Sequence, residues 1–476
     1  MQLWPILIGT LLLIHLPMVI LYGVQVWEFL RFYRSRTRWL AQTSLESPRS
    51  SQTIATSRVA EASESIVSRC FVVVPCCGDE PGLANHLRSL MEQDYPNYQV
   101  RCVVATLCDP AVPRIRECME RYGNMELIVA GSPEFENGVP SEGYKIHSLL
   151  AATREIPADC EYLAFFDSDI QLQPWTLRSL TSRFTADFDV NSHRESGKSW
   201  NDPIGVATGY RWLIPTRLPR PREKATATSP CRDRHPANVS EVSRISLWKR
   251  YKTRWNGYKE RGSVRFGSVM VAGINAAVGV LFGKHTPTFV WGGAWAIPRI
   301  LFDKLEIRRR WRGQLSDDMV VREALVQSNW RACFEPGAIV IGDCDFTFLS
   351  GLRFLRRQYQ FIRHMAPLWW WFALIVLAIG QLAFWLPPIV WSTIGDYGTP
   401  WGWIGLLWGV MVLLKMVIAL RIHLAQRGVR GIGGGIGVSG SGPLMGFFHL
   451  IAVCSAGVGR TLLWRGIRYK IDAQSR

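Results

Sequence analysis

Residues 162–169 of this 476-residue chain read YLAFFDSD, an apolar run that ends in two carboxylates. An apolar run of this length is typical of a strand that is buried on both faces. If the chain stays extended beyond Phe166, the side chains of Asp167 and Asp169 share one face, because alternate residues of a strand do. Their hard oxygen atoms suit Mg²⁺ or Mn²⁺, which also bind substrate phosphates. The stretch predicts a metal and phosphate site, although the same pattern also occurs in ordinary surface turns.

Strand and helix signals alternate along the chain that precedes this run. Three apolar runs predict strands, and three segments with helical spacing predict helices. In chain order, the six segments are 70–75, 83–93, 100–105, 114–122, 125–130 and 144–154. The alternation predicts a Rossmann-like α/β domain with a mostly parallel sheet and helices on both faces. Ligands of such sheets bind beyond the carboxyl ends of the strands, which is where Asp167 is expected.

Three apolar stretches predict membrane-spanning helices. The first lies in an N-terminal anchor at residues 1–28, and the others cover residues 366–391 and 401–420. No A-x-A-like cleavage site follows the first stretch, which indicates an uncleaved anchor. Basic residues stay on the cytoplasmic side, so the arginines after the anchor predict that the following domain is cytosolic. They are Arg31, Arg34, Arg36 and Arg38.

The predicted organisation continues with a basic, Ser- and Thr-rich linker, a globular domain with two polar insertions, and a C-terminal membrane region. In that order, these segments are 29–68, 69–365 with insertions near 190–202 and 217–245, and 366–476. The last region ends with an apolar segment at 443–464 and a basic tail. A full crossing would put that tail outside, so this segment is predicted to lie in the interface or to re-enter the membrane.

The chain is strongly basic, with 55 Lys and Arg against 38 Asp and Glu and a formal charge of +17. Nucleic acid, an anionic membrane surface or phosphorylated substrates would each attract such a charge. The apolar ends favour the membrane, and phosphorylated substrates are compatible with it, so we expect no nucleic acid partner. The 11 cysteines form no C-x-x-C pair, which argues against a disulfide framework or a zinc site.

Two further motifs carry charged groups, and each motif has two interpretations. Ser316-Asp317-Asp318 precedes a helix-like run, where acidic residues either stabilise the helix start or supply a general base. The segment from Arg356 to His364 (RRQYQFIRH) precedes the second apolar stretch. It is either a basic collar at the membrane interface or a clamp for a diphosphate, whose oxygens match the planar arginine side chain.

The order of these motifs resembles the family 2-like glycosyltransferases of the GT-A fold. The residues that carry the resemblance are Pro75, Asp109, Asp167-Ser168-Asp169, Asp317-Asp318 and Gln360-x-x-Arg363. Residues 75–83, 93–98, 291–299 and 464–470 are most similar to ceramide glucosyltransferases and their bacterial relatives. The resemblance implies a GT-A domain that uses a nucleotide sugar, UDP-glucose above all, with Mg²⁺ or Mn²⁺, and a lipid acceptor in the membrane.

The resemblance also implies roles for individual residues. Asp318 would be the catalytic base with Asp317 beside it, Asp169 and Asp167 would hold the metal, and His364 and Trp291 would lie on the acceptor side. The residues implied in donor binding are Glu80, Asp109, Lys145, Asp167, Gln360 and Arg363.

The chain departs from the family pattern at two points. His364 stands where relatives carry Trp, and an earlier family aspartate is replaced by Thr106 or Leu107. Ceramide, diacylglycerol and a hopanoid alcohol therefore all remain possible acceptors. The alternatives are a processive polysaccharide synthase, which normally has more membrane spans, and a membrane scaffold with a decayed transferase domain.

Overall fold

The computed structural model describes most of the chain. The described residues are 3–45, 68–78, 80, 82–136, 139–184, 203–216, 264–284, 289–394, 399–430, 442–464 and 467–470. The insertions predicted near 190–202 and 217–245 lie outside them.

Within the described residues, seven strands form one mixed sheet in the order β3-β2-β1-β6-β8-β7-β9. The strands are β1 (Arg69–Pro75), β2 (Tyr98–Val104), β3 (Met125–Val129), β6 (Cys160–Phe166), β7 (Ile204–Pro215), β8 (Ala294–Pro298) and β9 (Arg331–Cys344). A short ribbon of β4 (Phe135–Glu136) and β5 (Val139–Pro140) lies apart from it. Only β8 runs antiparallel to its neighbours. The mostly parallel α/β sheet predicted from the sequence is confirmed.

Helices cover both faces of the sheet, because alternate residues of each strand point to opposite sides. On one side, Val72 of β1 shares a buried cluster with Leu87, and on the other Phe71 shares one with Ile146. After the N-terminal helix α1 (Leu3–Leu45), the helices around the sheet are α2 (Leu83–Met91), α3 (Val112–Tyr122), α4 (Tyr144–Ala152), α5 (Thr176–Thr181), α6 (Phe266–Gly279), α7 (Arg299–Lys304), α8 (Ile307–Trp311) and α9 (Asp317–Gln327).

Helix α1 continues well beyond the predicted anchor. It ends at Leu45, so the prediction of a linker was wrong for residues 29–45, and residues 46–67 lie outside the described part of the chain. The apolar residues Phe29, Tyr33 and Leu40 occupy a single face of the helix, which is the pattern of an amphipathic helix. The basic residues between them obscured this pattern in the sequence.

The extension of α1 packs against the β7–β9 edge of the sheet. The ring centroid of Phe29 lies 6.1 Å from that of Trp212 and 5.8 Å from that of Phe334. Arg36, one of the four arginines that follow the first apolar stretch, lies 3.0 Å from the fully buried carboxylate of Glu335. Helix α1 is therefore joined to the globular domain by an aromatic cluster and a buried ion pair.

Among the described residues, three helices are long and apolar enough to cross a membrane, namely Leu3–Leu40, Pro367–Thr393 and Trp401–Ala425. They belong to α1, α11 (Pro367–Ile394) and α12 (Thr399–Arg430), and α10 (Phe348–Met365) leads into them from the sheet. Leu12, Ala383 and Met411 meet in one buried cluster, so the three helices pack together.

The last apolar segment is divided between a helix and a hairpin. Helix α13 covers Gly442–Ala456, and β10 (Thr461–Trp464) then pairs with β11 (Ile467–Lys470). At ~1.5 Å per residue, this helix is shorter than the ~30 Å hydrocarbon core of a bilayer. Its position in the interface, or as a segment that re-enters the membrane, stays a prediction.

Candidate active site

The two carboxylates at the end of β6 converge on one arginine. Arg211 donates from Nη1 to Asp169 Oδ2 at 2.8 Å and from Nη2 to Asp167 Oδ2 at 3.1 Å, and Nη2 also contacts Asp169 Oδ1. The backbone N–H of Asp167 donates to the carbonyl oxygen of Gly293 at 3.0 Å, which extends the pairing of β6 with β8. The two side chains therefore share one face, where they can hold a single cation.

Arg211 is a site residue that the sequence reading missed. It is the lone charged residue of β7 (IGVATGYRWLIP), and strand alternation turns it away from the face of Tyr210 and Trp212. Burial alone would lower the pKa of its guanidinium, but the charges of Asp169 and Asp167 outweigh burial and raise it. A charged residue inside an apolar strand was the available signal.

Lys145, in the first turn of α4, connects the two acidic motifs. Its Nζ lies 2.9 Å from Asp167 Oδ1 and 3.1 Å from Asp317 Oδ2, and it donates to the carbonyl oxygen of Gly292 at 2.8 Å. Burial would lower the pKa of this ammonium, but Asp167 and Asp317 raise it above its ordinary value. Motifs that are far apart in sequence thus meet at one lysine.

The acidic pair at the start of α9 divides into a buried and an accessible carboxylate. Asp317 is 5% exposed, and burial raises its pKa to about 7 although Lys145 opposes the shift. Asp318 is half-buried, and its carboxylate accepts from the N–H groups of Met319 at 2.8 Å and Gly292 at 3.0 Å and from the Ser316 hydroxyl. Three donors therefore fix the orientation of the more accessible carboxylate.

The loop before β8 closes one side of this cluster. The Trp291 ring lies 5.6 Å from the guanidinium of Arg211, so this predicted acceptor-side residue borders the carboxylates. A side chain at position 292 would have little space, because its Cβ would lie 3.0 Å from Asp318 Oδ2 and 3.2 Å from both carboxylate oxygens of Asp317. The glycine lets the backbone approach the acidic pair closely.

Two predicted donor-binding residues lie at the ends of the neighbouring strands. Asp109 Oδ1 accepts from the N–H groups of Gly78 and Ala111, both at 2.8 Å, and so joins the loops after β1 and β2. The charge of Glu80 makes a small contribution to the raised pKa of Arg211, after those of Asp169 and Asp167. In this structure, Asp109 organises the loop that borders the site.

The Gln360-x-x-Arg363 motif of α10 contacts the C-terminal segment. Gln360 Nε2 donates to Thr461 O at 3.5 Å, and Arg363 Nη1 donates to Ala456 O at 3.1 Å and Gly459 O at 3.4 Å. Burial lowers the pKa of the adjacent His364, with a further contribution from Arg363. Within the described part of the chain, these hydrogen bonds do not reach the carboxylate cluster.

The C-terminal hairpin nevertheless links this motif to the cluster. Leu462 and Tyr469 of the hairpin are buried together and pack against Tyr144, Leu315 and Phe361. These three are sequence neighbours of Lys145, Ser316 and Gln360. The hairpin therefore lies between α10 and the acidic motifs, an arrangement that no pattern in the sequence predicts.

Within the described residues, a divalent metal at the Asp-x-Asp motif would need further ligands from the substrate or from solvent. The described residues hold no cluster of three or more His, Cys, Asp or Glu side chains that could bind a metal ion. The oxygens of Asp167 and Asp169 do converge on one cation, Arg211. Two carboxylates combined with substrate phosphate oxygens are a donor set that suits Mg²⁺ or Mn²⁺. The residues fit such an ion if Arg211 moves aside.

The mixed sheet, with an Asp-x-Asp after a central strand and a second acidic pair opposite, is the arrangement of the GT-A fold. The sequence model of glycosyl transferase family 21 matches residues 42–190, which include β1 to β6 and both aspartates of the Asp-x-Asp motif. The fold and this match support a glycosyltransferase.

Solved glycosyltransferase structures are similar to this chain at low identity. A mannosyltransferase from Pyrobaculum calidifontis, in complex with GDP-Man and Mn²⁺, is 14% identical, with 92% of this chain and 98% of that chain covered and a TM-score of 0.35. S. aureus TarS 1-349 in complex with UDP-GlcNAc is 12% identical, with coverages of 84% and 95% and a TM-score of 0.31. At these values, neither likeness bears on the donor or the acceptor of this chain.

Proposed function

We propose that the protein is a membrane-bound inverting glycosyltransferase that moves glucose from UDP-glucose to the hydroxyl group of a membrane lipid. The observation that carries this proposal is the junction at Lys145, where the Asp-x-Asp meets the second acidic pair. A transferase needs a donor-phosphate site beside a base, and this junction brings the two together. The resemblance to ceramide glucosyltransferases supports glucose as the sugar and a sphingolipid-type acceptor.

The donor side of the site carries charged groups that can bind a metal ion or phosphate oxygens. Asp167 and Asp169 would hold Mg²⁺ or Mn²⁺, which when bound neutralises charge on the leaving diphosphate. Arg211 and Lys145 are cations at the same position and would interact with phosphate oxygens once the carboxylates are otherwise engaged. Glu80 and Asp109 border the nucleoside side of the proposed site.

Asp318 is the proposed base because it is accessible and oriented, whereas Asp317 is buried against Lys145. The lipid hydroxyl loses its proton to Asp318, and its oxygen bonds to the anomeric carbon. The bond between that carbon and the diphosphate oxygen breaks, and the nucleoside diphosphate leaves with the electron pair. A single displacement of this kind inverts the configuration of the anomeric carbon.

The acceptor side is proposed to face the membrane. Trp291 borders the carboxylates, and α10 carries Gln360, Arg363 and His364 directly before the candidate span in α11. A lipid headgroup entering between these elements would reach Asp318 while its tail stays among the apolar helices. The arginines that follow the first apolar stretch support a cytosolic location of this site, where nucleotide sugars are available.

Two matched variants test this assignment. Asp318→Asn should bind donor like the wild type and lose transfer by about 100-fold or more, because one positioned base contributes 10²–10⁴-fold. Asp169→Asn should instead lose donor binding in the presence of Mn²⁺. Calorimetric donor binding and labelled-product formation separate the two effects. Normal turnover by the Asp318→Asn enzyme would refute the base assignment, and a long polymer as product would favour a processive synthase.

A further inference from the structure

A cavity of about 660 Å³ lies between α1 and α12, away from the carboxylate site. Its walls carry four arginines and two tryptophans. These are Arg31, Arg34, Arg38, Arg421, Trp27 and Trp39. A volume of this size falls in the range of ~300–1,000 Å³ that is usual for small-ligand sites.

The cavity opens on the side of α1 that does not face the sheet. Arg31, Arg34 and Arg38 recur at helical spacing and so share one face. Phe29 and Arg36 occupy another face of the same helix, where they contact Phe334 and Glu335 of β9. A ligand in the cavity would therefore not overlap the proposed transfer site.

Among the described residues, the positive charge of the cavity has no counter-charge in its walls. None of the described residues that line the cavity is acidic. In the described part of the chain, Arg34, Arg38 and Arg421 have no ion pair, and Arg31 only stacks on Trp27 at 5.5 Å. Four guanidinium groups around one cavity repel one another, and an anion between them would relieve that repulsion. Arg36, on another face of α1, differs from these arginines because it has a buried carboxylate partner.

The position of the cavity along the helices favours a lipid as the source of that anion. Trp27 follows the first apolar stretch of α1, and Arg421 follows the apolar part of α12. Under the membrane placement proposed above, both residues lie at the level of the lipid headgroups, where tryptophan and arginine are favoured. The planar guanidinium group also matches the oxygens of a phosphate.

We propose that this cavity binds the phosphate-bearing headgroup of an anionic phospholipid in the leaflet that faces the catalytic domain. The headgroup contacts arginines of both α1 and α12 and so joins the two helices. This inference rests on the proposed membrane placement and not on the transfer chemistry.

The test compares two double variants of the full-length protein in nanodiscs that contain phosphatidylcholine and phosphatidylglycerol. Arg34→Gln with Arg38→Gln removes two cavity charges, and Arg116→Gln with Arg154→Gln removes two exposed charges elsewhere. Native mass spectrometry of the retained lipid measures the preference for phosphatidylglycerol. The wild type and the control variant should keep this preference, and in the cavity variant the preference should fall by roughly tenfold or more.

Arg421→Gln removes a cavity charge from the other helix and should weaken the preference for phosphatidylglycerol as well. This variant shows whether the effect of the α1 variant comes from the lost charge or from a local change in α1. An unchanged preference in the cavity variants, or an equal loss in the control, would overturn the proposal. Glycerol phosphate in solution that displaces the lipid completely would show that a soluble phosphate is the ligand instead. Donor hydrolysis is measured in parallel, so a protein with the lipid preference but without hydrolysis would refute only the proposed function.

Discussion

The Nζ atom of Lys145 lies 3.1 Å from Oδ2 of Asp317, and the same ammonium reaches the Asp-x-Asp motif at 2.9 Å. One buried cation thereby holds together carboxylates from the end of β6 and the start of α9. The proposed donor and base sites are coupled through this contact, because a change at either carboxylate alters the field at the other.

Replacing Lys145 by methionine should destabilise the protein strongly. The substitution leaves Asp167 and the buried Asp317 without their shared cation, and breaking a buried ion pair typically costs about 3–5 kcal/mol. The thermal midpoint of the purified protein in detergent measures this loss. Lys304→Met, on the exposed side of α7, is the matched control and should leave the midpoint nearly unchanged. A Lys145→Met protein as stable as the control would contradict the coupling.

The pH dependence of stability should reveal the buried carboxyl group. Asp317 has a pKa of about 7 in the fold against an ordinary value of 3.8. Between these values the folded state binds a proton that the unfolded state has released, so the free energy of unfolding should fall as pH rises through this window. Asp317→Asn removes the proton-binding group and should flatten the profile.

Thermal midpoints over that pH range, measured for wild type and Asp317→Asn, test the prediction. The midpoint of the wild type relative to the variant should decrease as the pH rises. Glu120→Gln, at an exposed position of α3, should retain the wild-type profile. Parallel profiles for wild type and Asp317→Asn would show that Asp317 does not titrate in this window.

Arg211 should compete with a divalent ion for the Asp-x-Asp carboxylates. Its guanidinium contacts both side chains where an ion would lie. Arg211→Gln should therefore raise the affinity for Mn²⁺ without donor, by roughly tenfold for the loss of one charge-assisted contact. Titration of the Mn²⁺ electron paramagnetic resonance signal measures this affinity, with Arg116→Gln as the control. Weaker Mn²⁺ binding by Arg211→Gln would argue that the arginine supports the metal site.

Gly292→Ala should impair transfer while donor binding remains. The added Cβ would lie 3.0 Å from Asp318 Oδ2 and would disturb the hydrogen bond that orients this carboxylate. A misplaced catalytic group reduces turnover by roughly 10- to 100-fold. Gly409→Ala in α12, where a Cβ meets no neighbouring atom, is the matched control. Equal transfer rates in the two variants, measured with labelled donor, would exclude a role for this close approach.

The first half of the sheet was predictable because each element has its own local signal. The apolar runs of β1, β2, β3 and β6 and the amphipathic pattern of α2 predict their positions to within a few residues. The second half was not, since β7, β8 and β9 come together only through long-range pairing. Strand β9 carries Pro336 and Gly337 in its middle, residues that disguise a strand.

The sequence singled out the acidic residues and Lys145, and the structure brings Lys145, Asp167 and Asp317 together, while their roles stay predictions. The partners of those residues were not predictable, because a single Arg211 in an apolar strand does not identify the carboxylates it will meet. The placement of Gln360, Arg363 and His364 depends on a C-terminal hairpin whose packing is equally non-local. Their roles in donor and acceptor binding stay predictions.

The most direct test of lipid glycosylation uses the purified protein in membranes with a panel of labelled nucleotide sugars. Ceramide, diacylglycerol and a hopanoid alcohol serve as acceptors, Asp318→Asn as the inactive control, and mass spectrometry identifies the products. The predicted result is one hexose, with inverted anomeric configuration, on a membrane lipid in the presence of UDP-glucose and Mg²⁺ or Mn²⁺. A labelled product that contains no lipid, or equal product from Asp318→Asn, would contradict the proposed function.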